Sequence, residues 1–278
     1  MRRDADTIRQ FFDANADGYE ARIVPAFRHF AESVIRTAQP LGHEVTLDIG
    51  TGTGILARLI ASRVRHVTGI DFAPAMIEQA LLTQNANVIF QVADVHELPF
   101  EADTFHLGVA SFGLNATRPR RAFAELHRVL KPEGVLAFHE WNVLHRLDDK
   151  IIEVFARYMV DEDDAPPHLL KIRHFIRTPR SWDNILQEAD DFKEVLAETG
   201  YVEIQVWEDA PVEVVMPVAA FMDYKLAWAN RQAELAAMDE FTRKDCLDAL
   251  RSMLQDEVGT DGNIHYAPLL FRVRAKKG

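Results

Sequence analysis

The sequence predicts an α/β fold: a mostly parallel sheet with helices on both faces. Three observations predict it. Short apolar runs recur at Val45–Ile49, Val67–Ile70, Val88–Val92, Phe105–Ala110 and Val135–Phe138. Segments of helical period separate most of them, and near-continuous apolar strands alternating with helices belong to a parallel sheet covered on both sides. The first run ends in a glycine-rich turn that opens a helix, Leu47-Asp48-Ile49-Gly50-Thr51-Gly52-Thr53-Gly54.

The first forty or so residues read as helix, with Phe27, Phe30, Val34 and Ile35 near a helical period and a stop at Gln39-Pro40-Leu41-Gly42. Ile55 to Val64 carries Leu56, Leu59, Ile60 and Val64 on one face. Pro74 opens a helix through Gln84, and Pro119 opens another with an apolar face of Ala122, Phe123, Leu126, Val129 and Leu130. In a first turn the N–H that proline lacks has no partner to lose. Arg118, Arg120 and Arg121, the densest basic group, fall at the start of that helix. Lys131-Pro132-Glu133-Gly134 then turns the chain into the fifth strand.

After Trp141 the pattern changes. Residues 145–190 read as helical, broken at Asp161-Glu162-Asp163-Asp164-Ala165-Pro166-Pro167. This is too long for a simple crossover. Alternation resumes with a helix from Asp190 to Thr199, Gly200 as its C-cap, and a strand from Tyr201 to Trp207. Val212–Met216 has the composition of a further strand, Pro217 to Glu257 is mostly helical, and Ile264–Ala275 reads as a closing strand. The expected organisation is one domain over residues 1–278. It has an N-terminal helical cap (1–42), a core (43–144 and 190–278) and an inserted helical lid (145–189).

With 278 residues, 48% hydrophobic and 27% charged, the chain has ordinary globular composition. A net charge of −12 repels phosphate backbones, so nucleic acid is not an expected partner. The lone cysteine, Cys246, allows no intramolecular disulfide and favours a reducing compartment. No apolar run approaches a membrane span, and Met1-Arg2-Arg3-Asp4-Ala5-Asp6 has no apolar signal core. The expectation is a cytoplasmic monomer or homodimer without membrane insertion. His168 and His174 sit too loosely among nearby acids to suggest a metal site, and no metal is expected.

Three segments carry chemistry. In the Gly50–Gly54 turn the missing Cβ atoms let backbone approach a ligand, and the N–H groups of the helix start favour a negative group. A tight turn with no ligand is the other reading. The glycines run G-x-G-x-G, and Ile55 stands where the third glycine of a dinucleotide fingerprint would fall. That disfavours a pyrophosphate and suits a carboxylate. Asp71 ends the second strand about twenty residues further on, where an acid accepts from ribose hydroxyls. Its alternative role is a solvated or capping residue before Pro74. Asp94 leaves the third strand with Val95 beside it, placed to meet an adenine amino group and ring; an Asx turn is the alternative. Together they describe one crevice along the carboxyl edge of the sheet.

These segments resemble the class I S-adenosylmethionine-dependent methyltransferases. So do Ser111-Phe112-Gly113-Leu114-Asn115-Ala116-Thr117 and the run from Ala124 through Glu133-Gly134. The nearest families are quinone-biosynthesis and related small-molecule C- and O-methyltransferases. The likeness covers roughly residues 10–140 well. It implies a Rossmann-like, seven-stranded sheet with the last strand antiparallel, S-adenosylmethionine as cofactor, and methylation of a small-molecule acceptor at O, N or C. It also implies residue roles: Asp48, Gly50, Thr51 and Gly52 toward the methionine moiety, and Asp71 on the ribose with Phe72 and Met76 beside it. Asp94 and Val95 would meet the adenine, and Ser111 and Phe112 would lie near the sulfonium. Phe11-Phe12-Asp13-Ala14-Asn15-Ala16-Asp17-Gly18-Tyr19 resembles the segment that closes over the cofactor, with Tyr19 its contact. Two residues depart from the family pattern: His106 stands where an acid is usual, and Glu133 where a glycine is common.

A general base is needed only if the acceptor carries its proton into the transition state. The candidates are His139 and Glu140 at the end of strand five, with Asn115, Trp141 and His145 assigned to the acceptor pocket. Trp141 serves equally as a core or lid anchor. Two other functions fit parts of the pattern: a cofactor-binding protein without transfer, acting as a regulator or partner subunit, and an NAD(P)-dependent oxidoreductase.

Overall fold

The computed structural model describes residues 9–278 except 11, 15, 17, 84 and 180. The first eight residues, Phe11, Asn15 and Asp17 of the cover segment and the expected helix end at Gln84 lie outside it. Before the first strand come α1 (Tyr19–Arg22) and α2 (Val24–Ala38), the second opened by Pro25 in its first turn.

The motif region folds as β1 (Val45–Ile49), α3 (Ile55–Ile60), β2 (His66–Asp71), α4 (Pro74–Leu81), β3 (Val88–Val92), β4 (Phe105–Ser111), α5 (Pro119–Val129) and β5 (Leu130–Val143). Pro74 and Pro119 both sit in first turns, as their fixed φ requires. The expected helix at Ile55–Val64 tightens to a 3₁₀ turn at Ala61–Arg63. The fifth strand starts at Leu130, earlier than apolarity suggests, because the chain leaves the ladder at Lys131–Gly134 and rejoins it. Leu130 pairs with Phe105, and the register resumes at Val135 with Leu107.

Two helices, α6 (Arg146–Ala156) and α7 (Pro167–Arg177), follow, with a short one, α8 (Ser181–Ile185). The chain continues through α9 (Ala189–Glu198), β6 (Tyr201–Pro211), β7 (Val214–Met216), α10 (Val218–Leu226), α11 (Ala229–Ala237), α12 (Glu240–Gln255), β8 (Ile264–Tyr266) and β9 (Leu269–Lys277). The single closing strand expected at Ile264–Ala275 is two strands. Pro268, which has no N–H to give a ladder, marks the point where the chain changes sheets. β8 pairs with β7 in a small antiparallel sheet, and β9 enters the main one.

The main sheet has seven strands in the order β3-β2-β1-β4-β5-β9-β6. The first five run parallel, and β9 lies antiparallel between β5 and β6. One face is covered by α5, α8 and α9 through Phe123, Leu126, Trp182, Phe192 and Leu196 against Leu47, Ile49 and Phe138. The other is covered by α2 and α3 through Val34, Ile35, Leu56 and Ile60 against Val67, Val109 and Ala137. This is the architecture the alternation predicts.

A third apolar cluster joins α2 to the later helices, through Phe27, Phe30, Phe112, Leu147, Phe155, Phe221 and Leu250 among others. Two buried ion pairs lie in this layer. Arg173 on α7 meets Glu234 on α11 at 2.7 Å, and Lys225 on α10 meets Asp148 on α6 at 2.5 Å. Lys225 is also 3.8 Å from the centre of the Tyr266 ring. Burial pulls its ammonium down to about 8 against the attraction of Asp148. Removing one partner of such a pair strands the other charge away from water. No helix among the described residues is long and apolar enough to cross a membrane.

Candidate functional site

The carboxyl ends of β1 to β5 open into one cavity of about 340 Å³. Its floor is the glycine turn after β1, where Gly50 (φ +64°) and Gly52 (φ +56°) take left-handed conformations. The loop after β4 presses directly on it. A Cβ on Gly50 would stand 2.4 Å from Gly113 Cα, and one on Gly113 would stand 2.1 Å from Ile49 O. Only glycine fits at either position.

Beneath the turn, Asp48 accepts from the Thr51 hydroxyl at 2.6 Å. Asp48 is almost fully buried, and desolvation raises its carboxyl to about 7 even against that hydrogen bond. At the end of β2, Asp71 fixes two backbone groups: Gly52 N–H donates to Oδ2 and Ala73 N–H to Oδ1, each at 2.9 Å. Burial raises the Asp71 carboxyl and these N–H groups oppose the shift. At the end of β3, Asp94 Oδ1 takes both the N–H of His96, at 2.9 Å, and its ring Nδ1, at 2.7 Å. The backbone N–H of Arg118 donates to Nε2 of the same ring at 2.9 Å, so the proton resides on Nδ1. The Asx turn expected of Asp94 forms, and the same residue lines the cavity.

The far side of the cavity is aromatic. Phe112 has a positive φ of +60°, a strained value for a bulky residue. Its ring stacks on Trp141 with centroids 4.1 Å apart and planes 11° apart. Phe27 meets Phe112 edge-on at 5.4 Å, and Trp228 at 5.9 Å. Tyr19 closes the series, at 6.3 Å from Trp228. Its phenol pKa is raised by burial and by the nearby Asp71 carboxylate.

Of the residues singled out in the sequence, Gly50, Gly52, Asp71, Phe72, Met76 and Asp94 line this cavity. So do Tyr19, Val95, Ser111, Phe112, Asn115 and Trp141. Asp48 and Thr51 do not; they brace the turn from below. The candidate bases are not brought into the cavity either. His139 is fully buried with Nε2 3.2 Å from Thr37 Oγ1. Because the Thr37 hydroxyl donates to Ser33 O, it accepts from His139 Nε2–H, leaving Nδ1 buried without a partner. Burial, with Arg272 and Arg36 nearby, pushes the His139 ring down to about 3. Glu140, equally buried, holds the Leu114 N–H at 3.2 Å and so supports the loop after β4. His145 caps α6 rather than facing the cavity, accepting from Leu147 N–H at 3.4 Å.

Sequence reasoning missed Phe27, which it read as core, and His96, which stood inside a quoted motif without a role. It also missed Trp228, which precedes α11 and carries no local signal. No described residue of 145–189 lines the cavity; its later-sequence wall comes from Trp228.

Residues 47–138 match a family model described as a methyltransferase domain. The chain is 37% identical over 110 residues to the demethylmenaquinone methyltransferase of Clavibacter sepedonicus, covering 38% of this chain and 45% of that protein. It is 27% identical over 267 residues to the malonyl-[acyl-carrier protein] O-methyltransferase of Geobacter sulfurreducens, covering 93% and 94%. The chain spans about half the length of the first relatives it matches. Among solved structures, the YcgJ protein from Bacillus subtilis has the same fold, with a TM-score of 0.54 at 17% identity over 90% of this chain and 98% of that one. The motif segment matches a methyltransferase domain, and the seven-stranded sheet has the fold of the class I S-adenosylmethionine-dependent methyltransferases, which the chain resembles.

Proposed function

We propose that this protein transfers the methyl group of S-adenosylmethionine to a small-molecule acceptor, at O, N or C. The observation that carries the reading is that Gly52, Asp71 and Asp94, from three successive strand ends, line a single cavity. Its volume lies within the range of small-molecule sites.

The residues fit the cofactor. A Cβ built on Gly52 would meet nothing within 4 Å, so a ligand can lie against the turn's backbone. Ser111 Oγ is buried in the lining without a hydrogen-bond partner, a polar atom left for a ligand to satisfy. In this reading Gly50 and Gly52 meet the amino-acid end of the cofactor, with Asp48 and Thr51 holding the turn in shape. Asp71 accepts from the ribose, Phe72 and Met76 pack beside it, and Asp94 and Val95 meet the adenine. Ser111 and Phe112 lie toward the sulfur, and Tyr19 covers the site. When bound, the cofactor supplies an electrophilic methyl carbon. The chain's part is to hold the acceptor in line with that carbon and to keep water out, which Phe112, Trp141, Asn115 and Tyr19 are placed to do. With His139, Glu140 and His145 turned elsewhere, none of them is assigned a proton to remove.

The acidic charge of the chain argues against a nucleic-acid acceptor, and the single buried Cys246 fits a cytoplasmic setting. The test is equilibrium dialysis with labelled S-adenosylmethionine, followed by label transfer to a metabolite extract. Saturable binding and a labelled product are expected. No binding would end the reading. Binding without transfer to any acceptor would leave a regulator or partner subunit.

A further inference from the structure

We infer that His96 is a positioning residue for the donor: its ring fixes Asp94 with one carboxylate oxygen left for the adenine amino group, and braces that wall against the loop after β4. This rests on the methyl-donor reading of the cavity.

The His96 ring is held at both nitrogens. Nδ1–H donates to Asp94 Oδ1 at 2.7 Å, and Nε2 accepts the backbone N–H of Arg118 at 2.9 Å. The backbone N–H of His96 reaches the same Asp94 Oδ1 at 2.9 Å. That oxygen therefore takes two donors, one for each lone pair, and the carboxylate cannot turn without breaking both. Among the described residues no hydrogen bond reaches Asp94 Oδ2, and both Asp94 and His96 line the cavity. The bond from His96 also holds the Asp94 carboxyl below its usual range, so Oδ2 stays a charged acceptor. An exocyclic amino group offers the N–H that this oxygen lacks.

The other end of the brace is the loop after β4. Arg118 follows Gly113, Asn115, Ala116 and Thr117, all lining residues, and stands at the N-terminal boundary of α5. Its N–H precedes the helical ladder and has no carbonyl within it to meet; His96 supplies the partner. Arg121 adds a second tie, from Nε to His96 O at 3.0 Å. In the sheet, β2 and β1 lie between β3 and β4, so the ring bridges two strand ends that no ladder joins. An imidazole on a carboxylate is also the arrangement of a general base. Here Nε2, the nitrogen that would take the proton, already accepts from Arg118, so the geometry serves holding and not proton transfer.

The experiment uses the full chain and two ligands, S-adenosylhomocysteine and S-inosylhomocysteine, in which a carbonyl replaces the amino group. Calorimetry gives both affinities, and NMR hydrogen exchange gives the protection of the Arg118 amide. Wild type is expected to prefer the amino form by about ten-fold, the worth of one hydrogen bond to a charged group. His96→Ala should bring the two affinities within about three-fold of each other and speed Arg118 exchange about ten-fold. His96→Asn keeps a donor at the place of Nδ1 and puts nothing at the place of Nε2. It should retain the preference and still exchange Arg118 faster. No preference in wild type, an equal loss for both ligands in His96→Ala, or an unchanged Arg118 amide overturns the inference. If His96→Ala does not fold, His96→Asn decides: a lost preference or an unchanged Arg118 amide there overturns it. Wild type that binds neither ligand removes the donor reading and the adenine role with it; Arg118 protection that is lost in His96→Ala would still uphold the brace.

Discussion

The Thr53 hydroxyl donates to Glu20 Oε2 at 2.7 Å, across 33 positions of sequence. The other oxygen of Glu20 accepts from Arg58 at 2.9 Å, and Arg58 in turn donates to Thr53 O at 2.5 Å. Glu20 follows Tyr19, which lines the cavity, and Thr53 belongs to the turn that floors it. One carboxylate therefore ties the Tyr19 segment to the glycine turn.

Glu20→Gln keeps the volume and removes the charge. The Glu20 side chain is 55% exposed and the Arg58 side chain 13%, so the loss is expected near about 1 kcal/mol. That is roughly a five-fold weaker affinity for S-adenosylhomocysteine, expressed as faster release. Stopped-flow displacement checks it. The pair Glu20→Arg with Arg58→Glu is expected to slow release again; equal release rates in wild type and Glu20→Gln would show that this tie does not govern release.

Asp48 sets stability against function. Its folded carboxyl, raised by burial to about 7, lies above its ordinary value of 3.8. Its contribution to stability is thus complete at low pH and is lost as pH rises through about 7. Asp48→Asn removes the titration. The ligand-free variant is expected to melt higher than wild type at pH 8, with the advantage shrinking at pH 5.5. Its affinity for S-adenosylhomocysteine is expected to fall roughly ten-fold as the brace on Thr51 weakens. A melting difference that is the same at both pH values would contradict this account.

His139 behaves in the opposite sense. Its folded ring titrates near 3 against an ordinary 6.5, because the charged form is buried beside arginines. The stability it lends is full above pH 6.5 and is lost as pH falls toward about 3. His139→Gln, which keeps a donor for Thr37, is expected to lose less stability than wild type between pH 6.5 and 4 in urea titrations. Sequence reasoning alone made this residue a base whose loss lowers turnover. The structure points to an unchanged rate in a folded variant, and a large fall in kcat with the true acceptor would restore the first view.

Glu133 occupies a left-handed position, φ +63°, in the turn that interrupts β5. A side chain there costs about 1–2 kcal/mol. Glycine gives back about 0.4–1 kcal/mol of that in the unfolded chain. Glu133 reaches Lys276 only at 3.8 Å and is itself 75% exposed, so little is lost with its charge. Glu133→Gly is expected to stabilise the protein by roughly 0.5–1 kcal/mol, read as a higher urea midpoint with unchanged slope. A lower midpoint would mean that the turn is not strained.

The sequence by itself determined most of the elements and the glycine-turn half of the cavity. The glycine turn, Asp71 and Asp94 each follow an apolar run, and Pro74 and Pro119 start helices by their own fixed φ; such signals need only neighbouring residues. His106 shows how far local reasoning reaches: it breaks the family's acidic pattern, yet its Nδ1 still accepts the Val45 N–H at 3.1 Å. Only the tertiary structure decided the rest. His139 and Glu140 are adjacent, and a strand sends adjacent side chains to opposite faces, so register put one on Thr37 and the other beneath the loop after β4. Trp228 reached the cavity because three helices fold back over the strand ends. The strand expected after Ile264 divided at Pro268 because a proline without an N–H could not continue one ladder while the other sheet offered a partner. Contacts such as Tyr19 with Trp228 and Phe27 with Trp228, between distant parts of the chain, leave no periodicity in the sequence, and they shape the aromatic end of the cavity.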